Sequence, residues 1–386
     1  MAKKRVSQQS LKTRAKKVRY GVIGLGHIAQ VAMIPAFQHA KSNSVLTAFI
    51  SDDTTKLNRL AQKYGVQHVY AYDDYESCLT SGNIDAIYIA TPNHTHRALA
   101  ERAAACGIHV LCEKPLAVNE AACQSMIHTA EENRVKLMTA YRLHFETANL
   151  KAIDMARAGE LGDLKYFNSI FSMQVKDRDN IRLGPAKMGG GPLYDIGIYC
   201  INAARNLFRA EPIEVTALAS GTGDTRFSES DEMLSATMRF PEGQLATFTI
   251  SFGAADAATF DIVGSKARLR LDNAYDYAMP HTLQVFKNDK VTTREFAKKD
   301  QFAPELIYFS DCILNSRHVE PSGLEGLADV RVIEAIQKAV DTRQAVPLSK
   351  SSAPRKTRWP GNRQKIERPA LSRAPQVIHA TSPSGH

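Results

Sequence analysis

Hydrophobic positions follow two different patterns along the chain, and the change falls near residue 160. Before that point, short β-branched runs alternate with amphipathic stretches of helical period. The predicted strands are 19–24, 44–50, 84–91 and 109–114, and the helices predicted to follow them are 27–40, 55–65, 94–107 and 119–134. Repeated strand–helix units of this kind predict a parallel, doubly wound sheet.

Beyond residue 160 the predicted strands are longer, and short turns join them. Three hairpins are predicted, at 233–252, 259–272 and 283–296, the first turning at Pro-Glu-Gly. The other predicted elements are strands 164–175 and 212–220 and helices 193–208, 303–317 and 324–340. This pattern predicts a largely antiparallel sheet with one face covered by the 193–208 helix.

The two patterns together predict an α/β chain of two domains. The first, 19–145, holds the parallel sheet, and the second, 146–347, is an α+β domain with an open-faced sheet. The flanking segments, 1–18 and 348–386, are basic, poor in apolar residues and without periodicity, so we expect them to be disordered.

Charge is unevenly distributed along the 386 residues, whose net charge is +9. Residues 1–19 and 348–386 each hold eight Lys or Arg, and together they hold one acid, Glu367. The 33 basic and 39 acidic residues between them give that region a net charge of −6. The ends are interpreted as solubilising segments; contact with a polyanion such as nucleic acid is the alternative.

The six cysteines form no C-x-x-C pair and are typical of a reducing compartment. The basic N-terminus is not followed by an apolar signal region, and the apolar stretch 21–37 is interrupted by Gly, His, Gln and Pro. We therefore expect a cytoplasmic protein with no membrane segment. His94 and His96 lack a carboxylate or thiol that would complete a metal site, so no metal is expected.

A glycine-rich turn follows the first predicted strand. Gly24-Leu25-Gly26-His27-Ile28-Ala29 fits the G-x-G-x-x-A pattern, in which Gly24 permits the tight turn and Gly26 lets the backbone approach a pyrophosphate. Ala29 permits close packing of helix on strand. Because the motif lies between a strand and a helix at the start of a βα series, it indicates a dinucleotide-binding Rossmann domain.

The end of the second strand bears on the choice between NAD and NADP. Ser51 at this position, with the cation of Lys56 nearby, would suit the 2′-phosphate of NADP. A register one residue later would place Asp52 there, and a carboxylate would suit the ribose hydroxyl of NAD. The residue pattern alone leaves both registers open.

The segment GGGPLYDIGIYC, residues 189–200, brings Asp195 and Tyr199 four residues apart. At helical spacing both side chains lie on one face. One interpretation is a helix cap and a core aromatic side chain. The other is a catalytic pair: hydride transfer from an alcohol needs a group that takes the hydroxyl proton, and a nearby ammonium would favour the phenolate.

The sequence resembles the glucose–fructose oxidoreductase and inositol dehydrogenase family (Gfo/Idh/MocA). The resemblance runs from residue 19 to about 348, through YGVIGLG, IDAIYIATPNHTH, HVLCEKPLA, KLMTAYRLHF and GGGPLYDIGIY. Most members have His where this chain has Tyr199, and the Asp-Ile-Gly-Ile-Tyr form is similar to the glucose–fructose oxidoreductase branch.

The resemblance implies an NADP-dependent oxidoreductase, with NAD as second choice, that transfers hydride between nicotinamide and a sugar hydroxyl or carbonyl. Tyr199 would carry the proton, with Lys114 and Asp195 beside it, and the bond from Lys114 to Pro115 is often cis in relatives. The implied cofactor-binding residues are Gly24, Gly26, His27, Ile28, Ser51, Lys56, Thr91, Asn93, His96, Glu113, Lys114 and Arg142.

The resemblance also implies a homodimer or homotetramer that assembles through the second domain. Substrate choice is expected in second-domain loops such as 174–188. Two other functions stay open: a dehydrogenase of a non-sugar cyclic polyol or dihydrodiol, and a non-catalytic NADP-binding sensor that holds a partner with its basic ends.

Overall fold

Two β-sheets organise the part of the chain that the computed structural model describes, which is residues 17–348, 366, 368–370 and 375–382. The first sheet has six parallel strands in the order β3-β2-β1-β4-β5-β6. Its strands are β1 (Val18–Ile23), β2 (Ser44–Ile50), β3 (His68–Tyr70), β4 (Ala86–Ile89), β5 (His109–Glu113) and β6 (Leu137–Ala140). The strand order reverses between β1 and β4, and dinucleotides bind at such a reversal in open α/β sheets.

Helices follow the strands of this sheet, and side chains cap the first turns of two of them. The helices are α1 (Ile34–Ala36), α2 (Thr54–Tyr64), α3 (Tyr75–Thr80), α4 (His96–Ala105), α5 (Glu120–Glu132) and α6 (Thr147–Arg157), and a π-helical turn, Ala29–Met33, precedes α1. The side chains of Asp53 and Asn119 accept hydrogen bonds from backbone N–H groups in the first turns of α2 and α5. Gly65 ends α2 in the left-handed conformation.

The second sheet has nine strands in the order β14-β13-β12-β11-β7-β10-β9-β8-β15. They are β7 (Leu164–Ser172), β8 (Glu214–Ser220), β9 (Met233–Arg239), β10 (Leu245–Ser251), β11 (Ala257–Gly264), β12 (Arg268–Asp272), β13 (His281–Lys287), β14 (Lys290–Phe296) and β15 (Val346–Pro347). Only β7 and β10 pair in parallel. The three predicted hairpins are confirmed as β9–β10, β11–β12 and β13–β14.

One face of this second sheet is buried beneath α7 (Ile198–Phe208). Ile201 of this helix and Phe248 and Phe260 of the sheet share one apolar core. Residues on the other face are more exposed, as the alternating burial along β9 shows. The predicted α/β fold, with a doubly wound parallel sheet and an open-faced, largely antiparallel sheet, is therefore confirmed.

The last two helices of the chain, although they follow the second sheet in sequence, pack against the first domain. Helix α8 (Phe302–Leu314) packs on the first sheet, where Phe309 is fully buried and the Ser310 hydroxyl lies 2.7 Å from that of Tyr20. Helix α9 (Gly323–Thr342) contributes Val330 to the core beside α5 and Ile333 to the core of the second sheet. The predicted unit 146–347 therefore contains segments that pack on the first sheet. Limited proteolysis of the native protein would test the predicted domain limits.

The chain ends differ in part from the expectation of disorder. Val18 is buried as the first residue of β1, and the leader before residue 17 lies outside the described residues. In the 348–386 tail, Ile366 and Ile378 pack against the first core, and Ala370 forms an antiparallel bridge with Lys299. Isolated apolar side chains therefore contribute to this docking although the composition of the tail is polar. Tail residues 349–365, 367, 371–374 and 383–386 lie outside the described residues.

Within the described residues, none of the helices has the length and apolar character that crossing a membrane requires.

Candidate active site

The glycine-rich turn follows β1 and leaves a space beside the backbone. Gly24 has a φ of +88°, and a Cβ added there would lie 2.5 Å from the carbonyl oxygen of Ala90. A Cβ added to Gly26 would meet no atom within 4 Å. The first glycine is thus required by the turn, whereas the second leaves a cradle that a side chain would fill. This is the arrangement that a bound pyrophosphate needs.

The end of β2 shows where the two candidate residues, Ser51 and Asp52, lie. Ser51 is the first residue after the strand and is buried, and its hydroxyl accepts a hydrogen bond from Asp53 N at 3.3 Å. The carboxylate of Asp52 instead accepts from Tyr72 N at 2.8 Å, on the side of β3. Lys56 lies in the first turn of α2, with its Nζ 3.8 Å from Asp53 Oδ2. This strand end therefore presents a hydroxyl group, that of Ser51, with a cation nearby, that of Lys56.

Lys114 and Asp195 come from different domains and form an ion pair. Lys114 follows β5, and its Nζ donates to Asp195 Oδ1 and to the carbonyl oxygen of Asp195, both at 2.7 Å. Arg182 Nε donates to the other carboxylate oxygen at 2.7 Å. Burial alone would raise the pKa of Asp195, but the attraction of Lys114 and Arg182 outweighs it and lowers the pKa below its usual value.

The same ion pair acts on the lysine in the opposite sense. Burial lowers the pKa of Lys114. The attraction of Asp195 and of the other negative groups nearby outweighs this effect of burial, so the pKa is raised above its ordinary value. Lys114 therefore stays an ammonium and Asp195 a carboxylate at neutral pH. The peptide bond between Lys114 and Pro115 is cis, as the resemblance implies.

Tyr199 lies between cations and aromatic rings. Lys114 Nζ is 4.9 Å from the centre of its ring, and Arg142 Cζ is 5.1 Å from it. The rings of Phe171 and Tyr275 lie 5.7 and 6.0 Å away, centre to centre. The three predicted catalytic residues are thus brought together, and Arg142 joins them.

Arg142 is itself fixed by three contacts. It is buried, and it donates to Gln301 Oε1 at 2.6 Å and to the carbonyl oxygen of Tyr275 at 2.5 Å. Its guanidinium also lies 5.3 Å from the ring centre of Tyr277. The guanidinium therefore holds a fixed position beside the Tyr199 ring.

His27, inside the glycine-rich turn, faces the same region. Its Nε2 lies 3.4 Å from the Tyr277 hydroxyl, and its Nδ1 is buried without a hydrogen-bond partner among the described residues. Burial and then the charge of Arg182 lower the pKa of His27 to about 4. The ring is therefore neutral at pH 7, and a polar atom beside the cradle of Gly26 is left unsatisfied, which fits a site for a polar ligand.

Asn93 connects the first domain to the glycine segment of the second. Its Nδ2 donates to the carbonyl oxygen of Gly189 at 2.7 Å. Gly190, next in the chain, leaves no room for a side chain, since an added Cβ would lie 1.9 Å from the carbonyl oxygen of Gly184. An added Cβ at Gly189 would lie 2.6 Å from Asn93 Cβ, so it is this glycine that allows the chain to approach the first domain closely.

His96 supports the loops of the site rather than entering it. The ring is fully buried, and its two nitrogens lie 3.0 Å from the carbonyl oxygens of Pro115 and Thr91. Burial lowers its pKa more than these contacts raise it. A direct cofactor contact by the His96 side chain was the sequence-based expectation; in the structure the ring instead connects the loop after β4 to the loop after β5.

The remaining predicted cofactor residues lie near these loops. The Thr91 hydroxyl is 2.6 Å from that of Thr95, and Ile28 packs partly buried against the first core. Glu113, at the end of β5, accepts a hydrogen bond from the Tyr88 hydroxyl and one from Lys114 N at 3.2 Å. Burial raises the pKa of Glu113.

Sequence reasoning missed Arg182 and Tyr277. Arg182 belongs to the 174–188 loop that was assigned to substrate choice, but nothing in the local pattern distinguishes it from Arg178, which lines a separate surface cavity of about 310 Å³. Tyr277 follows β12 in a turn without a motif. Among the described residues, no group of three or more His, Cys, Asp or Glu is placed to hold a metal ion.

The fold and this site define a class: a Rossmann-fold oxidoreductase with a second sheet domain. A model of an oxidoreductase family with an NAD-binding Rossmann fold matches residues 18–141, and a model of the GFO/IDH/MocA C-terminal domain matches residues 149–270. The chain belongs to the GFO/IDH/MocA oxidoreductase family.

Three similar proteins illustrate the range of the family. The chain is 28% identical over 336 residues to the D-xylose 1-dehydrogenase [NADP(+)] of Haloarcula marismortui, covering 86% of this chain and 93% of that protein. An oxidoreductase of Rhizobium meliloti is 31% identical over 332 residues, or 84% and 97% of the two chains. The crystal structure of an aldose–aldose oxidoreductase from Caulobacter crescentus, complexed with glycerol, is 34% identical with a TM-score of 0.82, covering 86% and 100%.

Proposed function

We propose that this oxidoreductase uses NADP(H) to transfer hydride between the nicotinamide and a sugar hydroxyl or carbonyl. The observation that carries the proposal is the contact of one ammonium, that of Lys114, with both Asp195 and the Tyr199 ring. A carboxylate, an ammonium and a phenol in one cluster provide the proton path that oxidation of an alcohol requires. The aldose activities named for two relatives support a sugar as substrate.

NADP is favoured by the end of β2. The hydroxyl of Ser51 and the ammonium of Lys56 suit a 2′-phosphate, whereas the carboxylate of Asp52 is engaged by Tyr72 N. The name of the Haloarcula relative gives the same cofactor. When bound, the nicotinamide accepts or donates the hydride; the remainder of the reaction falls to side chains of this chain.

Tyr199 carries the proton in this proposal. On oxidation, the substrate O–H proton passes to the Tyr199 oxygen, the C–H bond breaks with its electron pair leaving as hydride, and the carbonyl double bond forms. On reduction each of these changes is reversed. Lys114 and Arg142 place two positive charges beside the Tyr199 ring, where charge moves between the substrate oxygen and the Tyr199 oxygen during the transfer.

Asp195 acts by holding Lys114 in place. Its lowered pKa means that the carboxylate is a poor proton acceptor at neutral pH, and both of its oxygens already accept hydrogen bonds. His96 is fully buried, and both of its ring nitrogens lie at backbone carbonyl oxygens. These contacts support Tyr199 as the proton carrier.

Assembly through the open face of the second sheet is part of the proposal. Large apolar side chains are exposed there on several strands: Tyr166, Ile170, Leu218, Met233 and Leu245. Tyr166 and Leu245 are neighbours in the sheet, and exposed apolar groups of this kind support an interface with another protein chain. Light scattering after size-exclusion chromatography should give a dimer or tetramer mass.

An assay of the purified full chain tests the function. We expect nicotinamide reduction with NADP and an aldose such as D-xylose or D-glucose, within a panel that includes cyclic polyols and a trans-dihydrodiol. The Tyr199→Phe variant is the control for a contaminating dehydrogenase. Activity on the dihydrodiol alone would favour the non-sugar alternative, and NADP binding without turnover of any substrate would favour a sensor.

A further inference from the structure

The C-terminal tail reaches the glycine-rich turn. Gln30, just beyond this turn, is buried, and its side-chain amide pairs with the backbone of Ile378. Gln30 Nε2 donates to Ile378 O at 2.8 Å, and Ile378 N donates to Gln30 Oε1 at 2.7 Å. The same Nε2 also donates at 2.9 Å to the carbonyl oxygen of Leu25, between the two glycines of the motif. One side chain thus joins the tail to the turn.

The next tail residue reaches the end of β2. His379 Nδ1 lies 2.8 Å from Asp53 Oδ2. Asp53 caps α2 by accepting a hydrogen bond from Lys56 N at Oδ1, at 2.8 Å. Its other carboxylate oxygen, Oδ2, lies 3.8 Å from Lys56 Nζ. The hydrogen bonds from Lys56 N and then from His379 lower the pKa of Asp53, so it is ionised at neutral pH.

The tail therefore connects two parts of the Rossmann domain that flank the adenosine ribose of a bound dinucleotide. In this fold the pyrophosphate lies at the glycine-rich turn, and the 2′ position lies at the end of the second strand. The tail lies beside the cradle without filling it, since the space next to Gly26 remains open. An earlier tail contact, Asp300 N to Pro369 O at 2.8 Å, fixes the approach of the tail.

We propose that the tail forms part of the cofactor site through Ile378 and His379, and that His379 favours NADP(H) over NAD(H). The inference rests on the proposed function, because it presupposes a dinucleotide at the glycine-rich turn. The physical reason concerns Asp53, a negative charge next to the proposed 2′-phosphate residues Ser51 and Lys56. His379 acts through Asp53 as a positioning residue: it engages the carboxylate that would otherwise repel the phosphate and compete for Lys56.

Direct binding measurements on the full chain test the inference. NADPH and NADH affinities are measured by fluorescence titration, with NADPH release followed by stopped flow, for the wild type and for His379→Ala. We expect His379→Ala to weaken NADPH about fivefold and to change NADH less than twofold, because only NADPH carries the phosphate. His379→Arg, which keeps a hydrogen-bond donor beside Asp53, should bind NADPH as the wild type does.

Two further variants distinguish the effect of the tail contacts from a general effect of changing the tail. Gln376→Ala changes an exposed residue of the same segment and should leave both affinities unchanged. A chain ending at Ala374 loses both the Gln30 and the Asp53 contacts, and we expect it to release NADPH about tenfold faster. Circular dichroism of this chain should match that of the full protein, since both sheets lie outside the deleted residues.

Three results would overturn the inference. Unchanged NADPH affinity and release in both His379→Ala and the shortened chain would mean that the tail contacts have no part in cofactor binding. Tighter binding by the shortened chain would mean that the tail competes with the cofactor. Equal weakening of NADPH and NADH by His379→Ala would remove the selectivity. Failure of the wild type to bind either dinucleotide would instead contradict the proposed function itself.

Discussion

At the scale of single residues, Tyr199 lies next to two positive charges. Lys114 is held by Asp195, and Arg142 is held by Gln301 and the Tyr275 carbonyl oxygen, so neither cation is free to move away from the phenol. Two fixed cations thus lie beside the ring that carries the proposed proton-transfer hydroxyl. The Tyr199 hydroxyl, rather than its ring packing, is therefore expected to matter for turnover.

Replacing Tyr199 by Phe removes the hydroxyl and preserves the ring contacts with Phe171 and Tyr275. We expect kcat to fall by about 10²–10⁴-fold while NADP affinity is retained, because general acid–base groups contribute in this range. Lys114→Ala should lose at least as much, and the double variant less than the product of the two. Near-full activity of Tyr199→Phe would exclude the proposed proton carrier.

A substitution of Lys56 tests whether Ser51 and Lys56, after the end of β2, hold the 2′-phosphate of NADP. Lys56→Ala should weaken NADP binding by about tenfold or more and leave NAD binding nearly unchanged, since only the 2′-phosphate needs the cation. Isothermal titration with both cofactors measures this directly. An equal loss for both would indicate that the ribose is held differently from the arrangement of Ser51 and Lys56.

At the scale of an element, α8 carries a carboxyl group into the first core. Glu305 is fully buried, and neither of its carboxylate oxygens has a hydrogen-bond partner among the described residues. Burial, and then the nearby Glu113, raise the pKa of Glu305 well above its ordinary value. The folded protein therefore binds a proton at this position more strongly than the unfolded chain does.

The pH dependence of stability follows from this raised pKa. Above pH 4.5, the pKa of this carboxyl group in the unfolded chain, the unfolded chain loses its proton while the folded protein keeps it. The free energy of unfolding therefore falls by about 1.4 kcal/mol per pH unit until the pKa of the folded protein is reached. Glu305→Gln removes this slope, so its stability relative to the wild type should be higher at pH 7 than at pH 5. Urea unfolding at both pH values measures it, with the exposed Glu131→Gln as control. An unchanged difference would contradict the buried, uncompensated carboxyl.

At the scale of the whole molecule, a buried polar network joins the two domains. Arg205 of α7 donates to Glu211 at 2.7 Å and also bonds Asp329 of α9. Asp329 accepts from the hydroxyl of Tyr141, just after β6, at 2.5 Å and from Asn202 at 2.7 Å. Arg205 and Asp329 are both buried, so these charges depend on one another for compensation.

Arg205→Met should destabilise the protein by about 3–5 kcal/mol, because it leaves buried carboxylates without their cation. Arg239→Met is the matched control: Arg239 also bonds a carboxylate, that of Glu214, at 2.7 Å, but its side chain is 52% exposed. The control should cost less than about 1 kcal/mol. Equal effects in urea unfolding would show that the network does not join the domains energetically.

The local features of this protein were predictable because they depend on neighbours in the chain. The strand–helix rhythm, the turn of Gly24 and Gly26, and the capping of α2 by Asp53 each involve residues a few positions apart. The nomination of Lys114, Asp195 and Tyr199 also came from short motifs. One local detail differs: the turn Leu193–Gly197 is π-helical, a wider turn than the α-helix that the spacing of four predicts.

The sequence by itself thus determined the fold class and nominated the cluster of three residues. Tertiary structure alone decided which distant groups meet. Arg182 meets Asp195, His96 meets two carbonyl oxygens, and α8 packs on the first sheet. Ile378 meets Gln30, which is 348 positions away in the chain. The physical reason is that burial and pairing across such separations depend on how both sheets pack. No periodicity or motif within one segment records which distant group will complete its hydrogen bonds.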